Sequence, residues 1–177
     1  MVRIAPSILS GNFLNLEPDI RMVNKNADLI HIDVMDGSFV PNISFGFPVV
    51  EAIAKAVTVP MDVHLMIVNP DKYVERFAKT GAEMISFHLE AADQAGKDPR
   101  DIIAQIKSFG VKAGLVINPD IPVERLFPYI DDVDFFLIMS VFAGFGGQKF
   151  IPESIDRIKT LKAEMDRRGV VKDIEVD

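Results

Sequence analysis

Two short segments carry the residues most able to do chemistry: His31-Ile32-Asp33-Val34-Met35-Asp36-Gly37 and Asp62-Val63-His64-Leu65-Met66. Both end strand-like runs. Residues two apart in a strand point the same way, so His31 and Asp33 share one face, and His64 closes a second run of the same character. A third run, Asp173-Ile174-Glu175-Val176-Asp177, brings another carboxylate to a strand end. Taken singly, His31 reads as a satisfied core histidine and Asp33 as a turn or capping residue. Adding His64 narrows that reading, and adding Asp177 reverses it. Two imidazoles and two carboxylates that converge make a divalent-metal site with acid-base groups already in place. That ligand set suits Zn, Fe(II), Mn or Co better than Mg or Ca.

The neighbours of these residues divide into five kinds. Asp36, on the opposite parity from Asp33 and before Gly37, reads as a turn residue. Asp62 and Glu175 lie two residues before His64 and Asp177, so in a barrel they sit one layer deeper. There they either orient the ligands from beneath or are satisfied as interior carboxylates. His88 falls on a fourth strand with Glu90 on the same face, and without a matching partner it reads as structural or supporting. The loop Gly144-Phe145-Gly146-Gly147-Gln148 has the glycine content that lets backbone N–H groups approach an anion. Met35, Met66 and Met139 lie at or just past strand ends. By default they fill core space, but at one end of a barrel they form an apolar floor for a reacting carbon.

Strand candidates at 3–9, 28–34, 60–66, 83–89, 112–117, 134–140 and 172–177 alternate with helical patterns near 17–25, 48–56, 71–80, 99–108, 122–128 and 153–168. Pro70-Asp71, Asp98-Pro99 and Pro152 open helices, and Gly81, Gly110 and Gly169 follow their ends. Near-continuous apolar strands between helices indicate a parallel sheet covered by helices. A doubly wound dinucleotide fold needs a Gly-rich turn after its first strand. Ser7-Ile8-Leu9-Ser10-Gly11 stands there instead. A (β/α)8 TIM barrel gathers functional groups at the C-terminal ends of many strands, as Ser7, Asp33, His64, Met139 and Asp177 require. Seven strands are expected over residues 1–177, read as one barrel domain truncated at its C-terminus, with the eighth strand missing. A complete barrel takes about 200 to 250 residues or more.

The chain is 49% apolar, which supports a substantial core. A formal net charge of −7 argues against nucleic acid and anionic membranes as partners. There are no cysteines, hence no disulfide, thiolate ligand or Cys nucleophile. No apolar run spans a bilayer and the start lacks a signal-peptide pattern, so a cytoplasmic protein is expected.

Ala5-Pro6-Ser7-Ile8-Leu9, His31 to Gly37, Phe39-Val40-Pro41-Asn42, Asp62 to Met66, Gly144 to Phe150 and Ile174-Glu175-Val176-Asp177 together resemble the ribulose-phosphate 3-epimerase family of (β/α)8 barrels. The resemblance runs the length of the chain. It implies that His31, Asp33, His64 and Asp177 hold one divalent metal ion and that Asp33 and Asp177 are the two acid-base groups. It further implies that Ser7, His64, Met35, Met66 and Met139 meet substrate and that Gly144, Phe145, Gly146 and Gly147 help bind phosphate. The implied reaction inverts carbon 3 of D-ribulose 5-phosphate to D-xylulose 5-phosphate through an enediolate, in a cytoplasmic homo-oligomer of the pentose phosphate pathway. Two alternatives stand beside it: the same chemistry on a hexulose 6-phosphate such as D-allulose 6-phosphate, and a catalytically silent sugar-phosphate-binding barrel. Ser38 stands where the family often has His, and Phe142-Ala143 where it usually has a polar residue and Pro. Both departures bear on which sugar is bound.

Overall fold

A computed structural model describes all 177 residues. Six parallel strands form one sheet: β1 (Ile30–Met35), β2 (Met61–Met66), β3 (Met84–His88), β4 (Lys112–Ile117), β5 (Phe135–Ile138) and β6 (Asp173–Val176). Their spatial order is their chain order, so every connection crosses to the adjacent position. A 3-10 turn at Ile8–Ser10 and α1 (Glu17–Asn26) precede β1, and the crossovers carry α2 (Phe47–Ile53), α3 (Val74–Lys79), α4 (Leu89–Gln94), α5 (Pro99–Ser108) and α6 (Ser154–Arg168), with 3-10 turns at Pro70–Lys72 and Val123–Tyr129. No helix is long and apolar enough to cross a membrane.

Local chemistry explains the boundaries. The Asp98 carboxylate accepts the Arg100 amide at 2.9 Å and Pro99 takes the first helical position, so α5 begins there. α6 ends at Gly169, whose φ of +69° is the left-handed cap that glycine adopts without strain.

One parity of the sheet packs on the helices. Ile30, Ile32, Val63, Leu65, Ile85, Phe87, Leu115, Phe136 and Ile138 join Ile20, Val50, Phe77, Ile103, Leu126 and Leu161 in the main core. The other parity faces the concave side and carries the polar residues. His31, Asp33, Asp62, His64, Ser86 and His88 are all buried there. Their registers align them: Asp33 lies opposite His64, and His64 opposite Ser86. Phe135 closes the lower end of this interior against Leu29, Met84 and Ala5.

Three expectations need correction. The structure has six strands, not seven. Residues 3–9 lie beside β1, where the Ile4 and Pro6 carbonyls accept from Asp28, Leu29 and His31, but they form one isolated bridge, Ser7–His31, and no strand before turning into a 3-10 helix. Pro6 has no N–H to give a ladder, and the Ile4 amide is taken by the Asp28 carboxylate at 2.8 Å. The pattern at 122–128 folds as a 3-10 helix because Pro128 sits inside it. The fourth strand stops at His88, and Leu89 opens α4, so Glu90 belongs to a helical turn rather than to the strand.

Candidate metal centre and active site

His31, Asp33, His64 and Asp177 converge, each offering one ligand atom, and these atoms lie within 4.8 Å of one another. His31 Nε2 is 3.3 Å from Asp33 Oδ1. His64 Nδ1 is 3.1 Å from the same oxygen and 4.0 Å from Asp177 Oδ2. His31 Nε2 is buried and has no hydrogen-bond partner. A buried ring nitrogen left without a partner amid two carboxylates and a second imidazole suits a cation. The two-nitrogen, two-oxygen donor set is of the kind that divalent transition metals take.

The layer beneath fixes His31. Its Nδ1 donates to Asp62 Oδ2 at 2.7 Å and lies 3.4 Å from Glu175 Oε1, which directs Nε2 upward to the cluster. On the opposite side, the Ser7 hydroxyl donates to Asp33 Oδ2 at 2.5 Å, an orientation imposed by the single bridge between Ser7 and His31. Asp177 lies just past β6, where its carbonyl accepts from the Ser140 amide and hydroxyl, each at 2.6 Å. Asp36 is a turn residue, as its position before Gly37 suggested. Its Oδ1 accepts the amides of Ser38 and Phe39, and its Oδ2 that of Val68, all at 2.8 Å.

The charges of this cluster are unequal. Burial alone would raise the Asp33 carboxyl, but the charges and hydrogen bonds of His31 and His64 hold it well below the usual carboxylate range. Asp177 has moved the other way, pushed up by burial and then by the charge of Asp33. Burial would lower His31, yet the carboxylates of Asp62 and Asp33 raise it well above the usual imidazole value. Burial and the nearby Asp62 carboxylate raise Glu175. Of the two upper carboxyls, then, Asp33 holds a proton less tightly than an ordinary carboxyl and Asp177 more tightly.

A cavity of about 220 Å³ opens over the cluster. Ser7, Asp33, Asp177 and all three strand-end methionines, Met35, Met66 and Met139, line it, together with Gly144, Phe145, Gly146 and Gly147. Phe142 and Gln148, which flank the glycine stretch, also line it, and so do Leu9, Ser10 and Val141, which the sequence did not mark as site residues. His64 is fully buried beneath the floor. The glycine loop is shaped from within: Gly144 has φ +122° and Gly147 φ +72°, and Gln148 Nε2 donates to the carbonyls of Phe142 and Phe145 at 2.6 and 2.7 Å. Asn42 donates to the Gly144 carbonyl at 2.7 Å. None of the amides from Gly144 to Gly147 donates to an acceptor in the protein. From below, Arg157 of α6 donates to the carbonyls of Met139, Asn118 and Ile121 and so ties the ends of β4 and β5 together. A larger cleft, about 410 Å³, lies at the opposite end between residues 1–5 and β6. Asp173 and Glu175 line it, but no histidine does.

The "Ribulose-phosphate 3 epimerase family" model matches residues 3–177. A Bacillus subtilis (strain 168) protein named ribulose-phosphate 3-epimerase is 49% identical over 180 residues, spanning 100% of this chain and 81% of that protein. One of the same name from Synechocystis is 49% identical over 175 residues, spanning 98% of this chain and 75% of its own length. Among solved structures, a mutant tryptophan synthase alpha-subunit from Pyrococcus furiosus superposes with a TM-score of 0.67 at 15% identity, over 99% of this chain and 77% of that one. An HpcH/HpaI aldolase from Desulfitobacterium hafniense DCB-2 gives a TM-score of 0.57 at 15% identity, over 89% and 72%. These two likenesses speak for the barrel-type fold alone.

Proposed function

The chain belongs to the ribulose-phosphate 3 epimerase family, and from that premise we propose that it inverts carbon 3 of D-ribulose 5-phosphate to give D-xylulose 5-phosphate. The observation that carries this reading is the pair Asp33 and Asp177, which line one cavity and have oppositely displaced proton affinities. Epimerisation beside a ketone removes a proton from one face of the sugar and returns one to the other, so it needs a base and an acid across the substrate. Asp33, ionised, takes the proton from one epimer. Asp177, holding its proton more tightly, gives one to the opposite face of the enediolate. The reverse reaction exchanges the two roles.

His31, Asp33, His64 and Asp177 are the residues that would hold a divalent ion, His31 through Nε2 and His64 through Nδ1. Zn, Fe(II), Mn or Co bound there would supply positive charge against that developing on the enediolate oxygens. Ser7 keeps Asp33 oriented through its 2.5 Å hydrogen bond. Met35, Met66 and Met139 give the reacting carbon an apolar floor that excludes water. The unengaged amides of Gly144 to Gly147 would receive the phosphate.

Phe142 stands at the cavity wall. Its bulk favours the shorter pentulose over a hexulose 6-phosphate. The decisive experiment follows ribulose 5-phosphate by NMR in D2O with the purified, metal-loaded protein. Xylulose 5-phosphate carrying one deuterium at carbon 3 is the expected product. Absence of both conversion and exchange, on this substrate and on allulose 6-phosphate, would leave a silent sugar-phosphate binder.

A further inference from the structure

The chain has three histidines, and the third has no role in the reading above. His88 is fully buried at the end of β3, with its Nε2 2.9 Å from His64 Nε2. The rings are stacked with centroids 5.0 Å apart. His88 Nδ1 points the other way, 3.6 Å from Glu90 Oε1 and 3.5 Å from Asn118 Nδ2, whose closer partner is Glu90 Oε1 itself. Both nitrogens of His88 are therefore engaged away from the cation site, so it is not a fifth ligand. Glu90 is itself held in place: its Oε1 accepts the Asn118 amide at 3.0 Å and the Asn118 side chain at 2.9 Å. The ring of Phe39 covers His88 at 4.8 Å.

We infer that His88 and Glu90 form a positioning relay that sets the tautomer of His64, so that His64 turns a bare Nδ1 to the cation and donates its Nε2–H to His88. The argument is one of proton count. Two neutral imidazoles facing nitrogen to nitrogen share a single hydrogen. If His64 gives Nδ1 to a metal, its hydrogen must sit on Nε2 and point at His88. His88 then accepts on Nε2, carries its own hydrogen on Nδ1, and donates it to the Glu90 carboxylate. The opposite arrangement puts a hydrogen on His64 Nδ1, aimed at Asp33, and removes the lone pair that a cation needs. Supporting partners of this kind, which fix ring orientation and raise ligand basicity, commonly change metal affinity by about 10- to 100-fold.

The inference rests on the metal reading proposed above, and the test separates the two. In the zinc-loaded protein labelled with 15N-histidine, long-range 1H–15N spectra are expected to show His64 protonated on Nε2 and His88 on Nδ1. His88 protonated on Nε2 overturns the relay while leaving the metal site standing. A parent protein that takes up no zinc overturns both. His88→Leu, checked for retained fold by circular dichroism, is expected to weaken zinc binding by about 10- to 100-fold in competition with a chromophoric chelator. His88→Gln, whose amide oxygen still accepts from His64, is expected to recover most of that loss. Zinc affinity within twofold of the parent in His88→Leu, or His88→Gln as weak as His88→Leu, overturns the proposal.

Discussion

Asp33 and Asp177 each bring a carboxylate oxygen within 4.8 Å of the other, although β1 and β6 stand at opposite ends of the strand order. A flat six-stranded sheet would hold its end strands about 24 Å apart at about 4.8 Å per strand. The sheet is therefore strongly curled. The accumulated twist of parallel strands with helices on the outer face gives that curl its direction. The cluster is a property of this curvature: residues 144 positions apart in sequence meet because the sheet bends round on itself.

Removing either carboxylate tests the two-base assignment. Asp33→Asn and Asp177→Asn are each expected to lower kcat by at least about 100-fold, the usual scale of general acid-base catalysis, while the fold persists. The sharper measurement is solvent exchange. With one base left, the proton at carbon 3 is exchanged with retention in one epimer only, and the two variants should exchange opposite epimers. Near-normal epimerisation in either variant refutes the assignment.

The ionisation pattern predicts how metal-free protein responds to pH. His31 is raised in the folded state, so its contribution to stability is complete below about pH 6.5 and is lost as pH climbs through the folded value. Glu175 and Asp177, also raised, lose their contributions in the same direction, beginning near pH 4. Asp33, depressed, contributes above about pH 4, and that part disappears only as acid titrates it. His88, lowered to about 4 by burial, is neutral in the folded protein above pH 7. Between pH 7 and 9 the melting temperature of metal-free protein is therefore expected to fall. The stabilisation from added zinc should grow over the same range, because ligation replaces the His31 proton. Calorimetry on chelator-treated and zinc-loaded samples measures both. A metal-free melting temperature that rises over this range contradicts the charge assignment, and His31→Gln should flatten the slope.

Particular residues show what the sequence made legible. His31, Asp33, Asp62 and His64 stood out because polar side chains at alternate positions of otherwise apolar strands have few places to go in a parallel sheet, and the concave face is where they lie. The six paired strands were visible for the same reason. The N-terminal segment looked like a seventh because Ile4 and Ile8 have strand character. Its actual state depends on the missing amide of Pro6 and on Asp28, 24 residues away from the Ile4 amide it binds. Glu90 kept strand parity with His88 while belonging to α4, so the helix start was hidden. The supports from Asn118 and Arg157 have no local signal at all, since each is a side chain reaching backbone or carboxylate groups that only the folded chain brings near.

Gly114 offers a test of interior packing independent of catalysis. It lies on β4 opposite Phe135, and a Cβ there would sit 2.3 to 2.7 Å from three atoms of the Phe135 ring. That ring is buried and fills the lower end of the interior. Gly114→Ala is therefore expected to destabilise by about 1–3 kcal/mol through overpacking, measured by urea denaturation. Phe135→Leu should relieve the clash, so that the double variant is more stable than the two single losses sum to. Additive losses would show that Phe135 does not press on this position.

Phe142 gives the last prediction, on substrate choice. Its side chain is at the cavity wall, and the carbonyl of the same residue is held by Gln148 at 2.6 Å, so truncation should open the wall without freeing the loop. Removing an aromatic ring from a pocket changes discrimination between substrates one carbon unit apart by about 1–3 kcal/mol, or roughly 10- to 200-fold. Phe142→Ala is expected to raise kcat/KM for allulose 6-phosphate relative to ribulose 5-phosphate, mainly through KM, because the acid-base pair is untouched. Parallel coupled assays on both ketose phosphates measure the ratio. An unchanged ratio with an unchanged KM would place the ring outside the space the longer sugar needs.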